Sequence, residues 1–216
     1  MLSIEQKQAF GLCLDYLGRV FLEPPQASFI DRIVADDLYM DWPLRANEDT
    51  ATHKGLQLLL DFSRQWNPAA IDHLAQEYTT LFIGLERTLA PPYESVYLSR
   101  DHIMFERQTL EVRDYYKQAG LEIPRLHKEP DDHIGYELLF TSFLCGQDST
   151  SAQETLSLFL KDHLLQWAHM FVRRVWEHST SDYFKGNALL TAGTLESLGQ
   201  ALGIAVHWQD DGYTFI

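Results

Sequence analysis

Glu77-Tyr78-Thr79-Thr80-Leu81-Phe82-Ile83-Gly84, leading into Ala90-Pro91-Pro92-Tyr93-Glu94-Ser95-Val96-Tyr97, is the stretch on which the reading of the fold turns. Up to Gly84 the pattern is helical. Asn67-Pro68 offers an N-cap with proline at the first helical position, and Leu74, Tyr78, Leu81 and Phe82 keep helical spacing. Gly84 is placed to close the helix as a left-handed cap. From residue 85 to about 105 the periodicity breaks. Residues 90–97 cannot form a regular helix, because Pro92 disfavours helical geometry at Pro91. Roughly twenty irregular residues inside a compact domain are uncommon and often functional.

Outward from this break the chain reads as helices. Ser3 and Gln6 make a capping-box pattern before Phe10, Cys13, Leu14, Leu17, Val20 and Phe21, and Pro24-Pro25 ends that helix. Further helices are expected at residues 27–35, 50–66 and 109–118, the last stopped by Gly120. Loops fit residues 40–49 and the segment containing Pro124 and Pro130, and three more helices fit 131–145, 152–177 and 181–202. In the tail, Asp211-Gly212 lies between short apolar runs, a hairpin signal. The chain thus reads as an all-α helical bundle, one domain over residues 1–216, with a short C-terminal β-hairpin or extended tail.

Composition narrows the class. Apolar residues make up 45% and charged residues 22% of the 216, as in ordinary globular proteins. The two cysteines, Cys13 and Cys145, sit in apolar runs and read as buried free thiols. No segment has the roughly 18 uncharged apolar residues a membrane span needs. Glu5, Lys7 and Asp15 argue against a signal peptide, and Arg173-Arg174, deep in the chain, against an export signal there. A cytoplasmic location is expected. The net charge of −14 disfavours nucleic acid and anionic lipid as partners and would steer a basic partner in.

Two kinds of chemistry deserve weighing. Asp-His followed by Ile or Leu occurs at Asp72-His73, Asp101-His102, Asp132-His133 and Asp162-His163, and Glu77, Glu106 and Glu137 follow the first three histidines by four residues. On a helix this puts imidazole and carboxylate on one face, which opens a helical metalloenzyme as an alternative. The order is the reverse of the Glu-x-x-His of di-iron bundles, and aspartate is common in first helical turns. The common nucleophile, phosphate-loop, dinucleotide and zinc-protease motifs do not occur. The expectation is a binding protein without metal or cofactor, not an enzyme.

The second segment of interest is Glu129-Pro130-Asp131-Asp132-His133-Ile134-Gly135-Tyr136-Glu137. With Tyr-x-x-Leu-Phe and Ala-Pro-Pro-Tyr-x-Ser-Val-Tyr before it, the chain resembles the TorD/DmsD family of redox enzyme maturation chaperones over about residues 74–144. It departs from DmsD-like members at Tyr93 and Tyr97, where those often carry tryptophan, and in having no aromatic residue soon after Gly84. The resemblance implies an all-helical chaperone of a molybdopterin-containing reductase of the DMSO or TMAO reductase type. Such proteins bind the twin-arginine leader of the catalytic subunit and hold back export until the cofactor is inserted. It implies a leader-binding site at Tyr78, Phe82, Pro91, Pro92, Tyr93, Ser95, Tyr97, Glu129, Pro130, Asp131, Asp132 and His133, with Asp132 accepting from a leader arginine. A same-fold chaperone for a client lacking a leader is the alternative. Two residue-level expectations follow: the 90–97 loop folds over the start of the helix beginning near Asp131, and both Asp132 and Tyr93 line a cleft rather than the core.

Overall fold

Ser3 opens the first helix: its hydroxyl accepts from the Gln6 N–H while the Gln6 side chain accepts from the Ser3 N–H. The computed structural model describes residues 1–44, 50–84, 88–123, 130–206 and 208. Its helices are α1 (Ile4–Leu22), α2 (Ala27–Ala35), α3 (Ala51–Gln65), α4 (Ile71–Tyr78), α5 (Glu94–Leu98), α6 (Arg107–Gln118), α7 (Ile134–Cys145), α8 (Thr150–Phe159), α9 (Leu165–His178) and α10 (Asp182–Ala201). Thr50, Ser149 and Ser181 cap α3, α8 and α10 through their hydroxyls. No strand is present among the described residues, so the all-α expectation holds.

The bundle is organised by two close helix pairs, α1 against α7 and α3 against α10, with α9 packed on α10. Both pairs meet at glycine. A methyl group on Gly18 would stand 2.9 Å from the Gly135 carbonyl oxygen, and one on Gly135 would stand 2.8 Å from that of Gly18. Gly55 and Gly186 make the same approach between α3 and α10, where a methyl on Gly55 would lie 2.8 Å from the Gly186 oxygen. Between the pairs sits an aromatic core. Phe21 of α1 lies edge-on to Phe171 of α9 at 5.1 Å, and Phe82 meets Phe184 of α10 at 5.5 Å. Cys13 and Cys145 are buried, and burial pushes both thiols up to about 12.

Several elements differ from the sequence reading. The helix expected after Asn67 begins as a 3₁₀ turn, Pro68–Ala70, and ends in a π-helical turn, Thr79–Ile83. Gly84 has positive φ (58°) but an extended ψ of 140°, so it is no left-handed helical cap; its N–H reaches back five residues to the Thr79 carbonyl at 2.7 Å. The single helix expected at 152–177 is interrupted by a second π turn, Leu160–Leu164, where the Leu165 N–H bonds to Leu160 O. Within the 85–105 break, α5 forms once the prolines are passed: their restriction ends at Tyr93, which the sequence reading extended to Tyr97. The expected C-terminal hairpin falls almost wholly outside the described residues, as does part of the 40–49 loop.

Because the α1–α7 crossing leaves no room for a Cβ, Gly135→Ala should lower stability by about 1–3 kcal/mol in urea unfolding. Gly120→Ala, which meets nothing within 4 Å but sits at φ 74°, should cost only the smaller backbone strain. Equal small losses at both positions would mean that the two helices can part without cost.

Candidate functional site

Proline shapes how the 90–98 segment attaches. Pro91 and Pro92 have no N–H to give, so the segment docks through carbonyls and the N–H groups that follow. Ile134 N–H donates to Pro92 O at 2.8 Å and Glu94 N–H to Asp132 O at 3.0 Å, an antiparallel bridge that pairs Tyr93 with His133. The Tyr93 ring stands edge-on to the His133 ring at 5.2 Å. The loop does fold over the start of α7, as expected.

The side chain of Asp132 completes the attachment. One carboxylate oxygen accepts from the Ser95 N–H at 2.8 Å, in the first turn of α5, and the other from the Thr109 hydroxyl of α6 at 2.7 Å. Asp132 is fully buried. Asp131, also buried, takes two bonds from the Arg113 guanidinium of α6 (2.6 and 3.0 Å), and the Tyr116 hydroxyl donates to its carbonyl at 3.1 Å. His133 is the N-cap of α7: its Nδ1 accepts from the Gly135 N–H at 3.0 Å. An acceptor there must be unprotonated, and burial agrees, pushing the imidazole down from 6.5 to about 3.

Beneath α5 lies a buried acidic layer. Glu94 bonds His163 Nδ1 at 2.9 Å, and Glu137 accepts from the Trp167 indole at 3.3 Å. Burial raises both carboxyls; the His163 contact opposes this at Glu94, while the Glu94 and Asp132 charges add to it at Glu137. Glu77, considered in the sequence as a partner of His73, instead points inward. Its Oε1 accepts from the Ser179 hydroxyl (2.8 Å) and the Thr180 (2.6 Å) and Ser181 (3.1 Å) N–H groups at the start of α10. Burial opposes the charge, but these donors together hold the carboxyl below its ordinary value. His102 bonds Val96 O at 2.9 Å, and His73 is exposed. The four Asp-His pairs therefore do not converge, and no group of three or more metal-ligating side chains occurs among the described residues.

The anchored segment faces α9 across an open cleft of about 880 Å³. Pro91, Tyr93, Val96 and Tyr97 form one wall. Met170, Arg173, Arg174 and Glu177 form the other, a single stripe of α9 at helical spacing. His102, Ile103 and Met104 make the lip. Ile103, Met104 and Phe105 are about half exposed (51, 47 and 53%), and His102 and Phe105 hold left-handed φ of 53° and 65°, strained for non-glycine residues.

The residues expected at the site thus divide. Pro91, Tyr93 and Tyr97 line the cleft. Pro92, Ser95, Pro130, Asp131, Asp132 and His133 are buried behind it and hold the wall in place. Tyr78 and Phe82 belong to the core, the Tyr78 hydroxyl donating to Phe21 O at 2.9 Å. Glu129 lies outside the described residues. The expectation that Asp132 lines the cleft and offers a free oxygen to a leader arginine is corrected: both oxygens are taken by the protein, because the loop covers the helix start so closely. The α9 stripe and the 102–104 lip were missed. The spacing of Met170, Arg173, Arg174 and Glu177 was the available signal.

Residues 45–173 match the family model described as nitrate reductase delta subunit. The chain is 30% identical over 198 residues, 90% of each chain, to a probable Tat proofreading chaperone DmsD of Haemophilus influenzae. It is 26% identical to the Tat proofreading chaperone DmsD of Salmonella typhimurium, covering 90% of this chain and 91% of that one. It is also 26% identical to the chaperone protein YcdY of Escherichia coli, over 89% and 95%. A crystal structure described as a redox enzyme maturation protein from Archaeoglobus fulgidus superposes with a TM-score of 0.53 at 21% identity, covering 92% and 95%, which supports the fold.

Two tests follow from the geometry. Asp132→Ala leaves two buried donors unpaired and should cost about 2–4 kcal/mol of stability, whereas Tyr93→Ala, half-buried at the cleft, should cost less than half of that. Similar urea midpoints for the two variants would remove the clamp from the account. His133 is held neutral, so its contribution is complete above about pH 6.5 and is lost as pH falls toward about 3. Between pH 6.5 and 4 the native protein should lose up to about 1.4 kcal/mol per pH unit more than His133→Asn, which keeps a capping acceptor without titrating. Parallel stability curves would show that His133 does not set this dependence.

Proposed function

The chain belongs to the TorD/DmsD family of redox enzyme chaperones, within the nitrate reductase delta subunit model, and from that premise we propose that it binds the twin-arginine leader of a molybdoenzyme precursor in the cleft between α9 and the 90–98 segment. On this reading it acts in the cytoplasm on the catalytic subunit of a reductase of the DMSO or TMAO type, delaying export until the subunit is folded and loaded with molybdopterin. It is a binding protein and not an enzyme, and needs no cofactor of its own. Nucleic acid is no partner, and no helix among the described residues is long and apolar enough to cross a membrane.

The observation that carries the reading is the construction of the cleft. Its loop wall is locked to α6 and α7 by buried hydrogen bonds, while Tyr93, Val96, Met104 and Met170 offer an apolar surface that an apolar leader stretch can cover. The two methionines suit a surface that must accept varied side chains. The net charge of −14 draws a basic leader toward the protein as a whole. The relatives named Tat proofreading chaperones support the leader as ligand. The family description as a nitrate reductase subunit, and a relative named only as a chaperone, sustain a second reading in which the client has no leader.

Calorimetric titration with the leader peptide of a co-purifying reductase tests the proposal. Tyr93→Ala and Met170→Ala should each weaken binding about fivefold or more while retaining helical content. Unchanged affinity in both would move the site elsewhere. Mass spectrometry of proteins captured by the tagged chain in its native host separates the two readings: a leader-bearing reductase precursor supports the first, and a leaderless respiratory subunit the second.

A further inference from the structure

The cleft carries local charge of the opposite sign to the protein as a whole. The chain has 17 basic against 31 acidic residues, yet the α9 stripe that faces the cleft presents two guanidinium groups and one carboxylate. Arg173 is engaged, its Nε 2.6 Å from Glu177 Oε1. Arg174 is exposed and makes no hydrogen bond or ion pair with any described residue. Across from it, the Tyr97 ring packs on Trp167 at 5.4 Å, and its hydroxyl is buried without a hydrogen-bond partner among the described residues. Burial raises that hydroxyl's pKa, and Arg174 is the charged group that acts against the rise, which places the two within electrostatic reach of each other.

A guanidinium that makes no hydrogen bond and only shares the Glu177 charge with Arg173, and a phenol without an acceptor, both line one cleft, and an anionic acceptor would satisfy the two together. The rest of the lining says what carries it. A small free anion has no use for Pro91, Val96, Ile103, Met104 and Met170, which form an apolar part of the lining. A peptide with a carboxylate next to an apolar run satisfies both. We propose that Arg174 and the Tyr97 hydroxyl receive an acidic side chain of the bound client segment. This rests on the reading of the cleft as the leader site and adds the feature that fixes register. Methionine-rich apolar walls accept many sequences and many registers. One carboxylate at Arg174 fixes the register of the segment.

Fluorescence anisotropy with synthetic peptides tests this. Each peptide carries Arg-Arg followed by a Leu/Ala run, with Glu or Gln placed before the arginines in one pair and after the run in the other. The native protein should prefer the Glu peptide in one of the pairs by about threefold to fivefold, a modest factor because Arg174 is exposed. Arg174→Gln should abolish the preference, and Tyr97→Phe should reduce it. Arg173→Gln should leave most of it. The preference should shrink in high salt. Equal affinity for Glu and Gln peptides in both pairs, or a preference that survives Arg174→Gln, overturns the inference while leaving the leader reading in place. Failure of every peptide to bind overturns both.

Discussion

The placement of the cleft depends on one buried carboxylate. Asp132 accepts from the Ser95 N–H with one oxygen and from the Thr109 hydroxyl with the other, so a single side chain joins α5, α6 and the start of α7. A buried charge is costly unless its acceptors are filled, and here both oxygens are. That constraint explains why the neighbouring residues are polar yet hidden. Asp131 holds Arg113, His133 caps α7, and the Pro92 carbonyl and Glu94 N–H complete a short bridge. Remove the central acceptor and the proline-rich wall loses its tie to α6 and the bond at the Ser95 amide, keeping the bridge at Tyr93 and His133, the Ala90 N–H bond to Leu81 O and the Glu94–His163 contact.

This arrangement separates rigidity from recognition. Polar groups do the holding, out of reach of solvent, and the apolar side chains of Pro91, Val96 and Met104 are left lining the cleft. The lip is the converse of the clamp. It has exposed Ile103 and Met104, a left-handed φ at His102 and another at the adjoining Phe105. The cleft thus joins a fixed wall to an exposed lip.

Much of the fold was legible in the chain because helix ends are local. Ser3, Thr50, Asn67 and Gly120 mark boundaries through bonds made within a few residues, and the structure keeps them. The meeting of residues 90–97 with Asp132-His133 was legible too, since an apolar, proline-stiffened loop needs cover and an apolar helix start has cover to give. What the sequence hid was depth. An aspartate before an apolar helix looks the same whether it faces a ligand or a backbone amide, and Asp132 faces the amide. Glu77 was hidden likewise: its partners are about a hundred residues away, at the start of α10. The α9 wall went unseen because Arg173-Arg174 drew notice as a dipeptide, whereas its meaning lies in the stripe it shares with Met170 and Glu177.

The two π turns bear on how such proteins diverge. Each stands just upstream of a cleft wall, Thr79–Ile83 before the proline segment and Leu160–Leu164 before the α9 stripe. A π turn accommodates one residue more than an α turn, and each residue advances a helix by about 100° around its axis. Loss of one residue at Leu160–Leu164 can therefore be taken up by closing the turn to α geometry, with Met170, Arg173, Arg174 and Glu177 still turned toward the cleft. A single-codon deletion at this turn can pass without disturbing the cleft wall. An alignment scored position by position then reports a gap where the wall itself is unchanged.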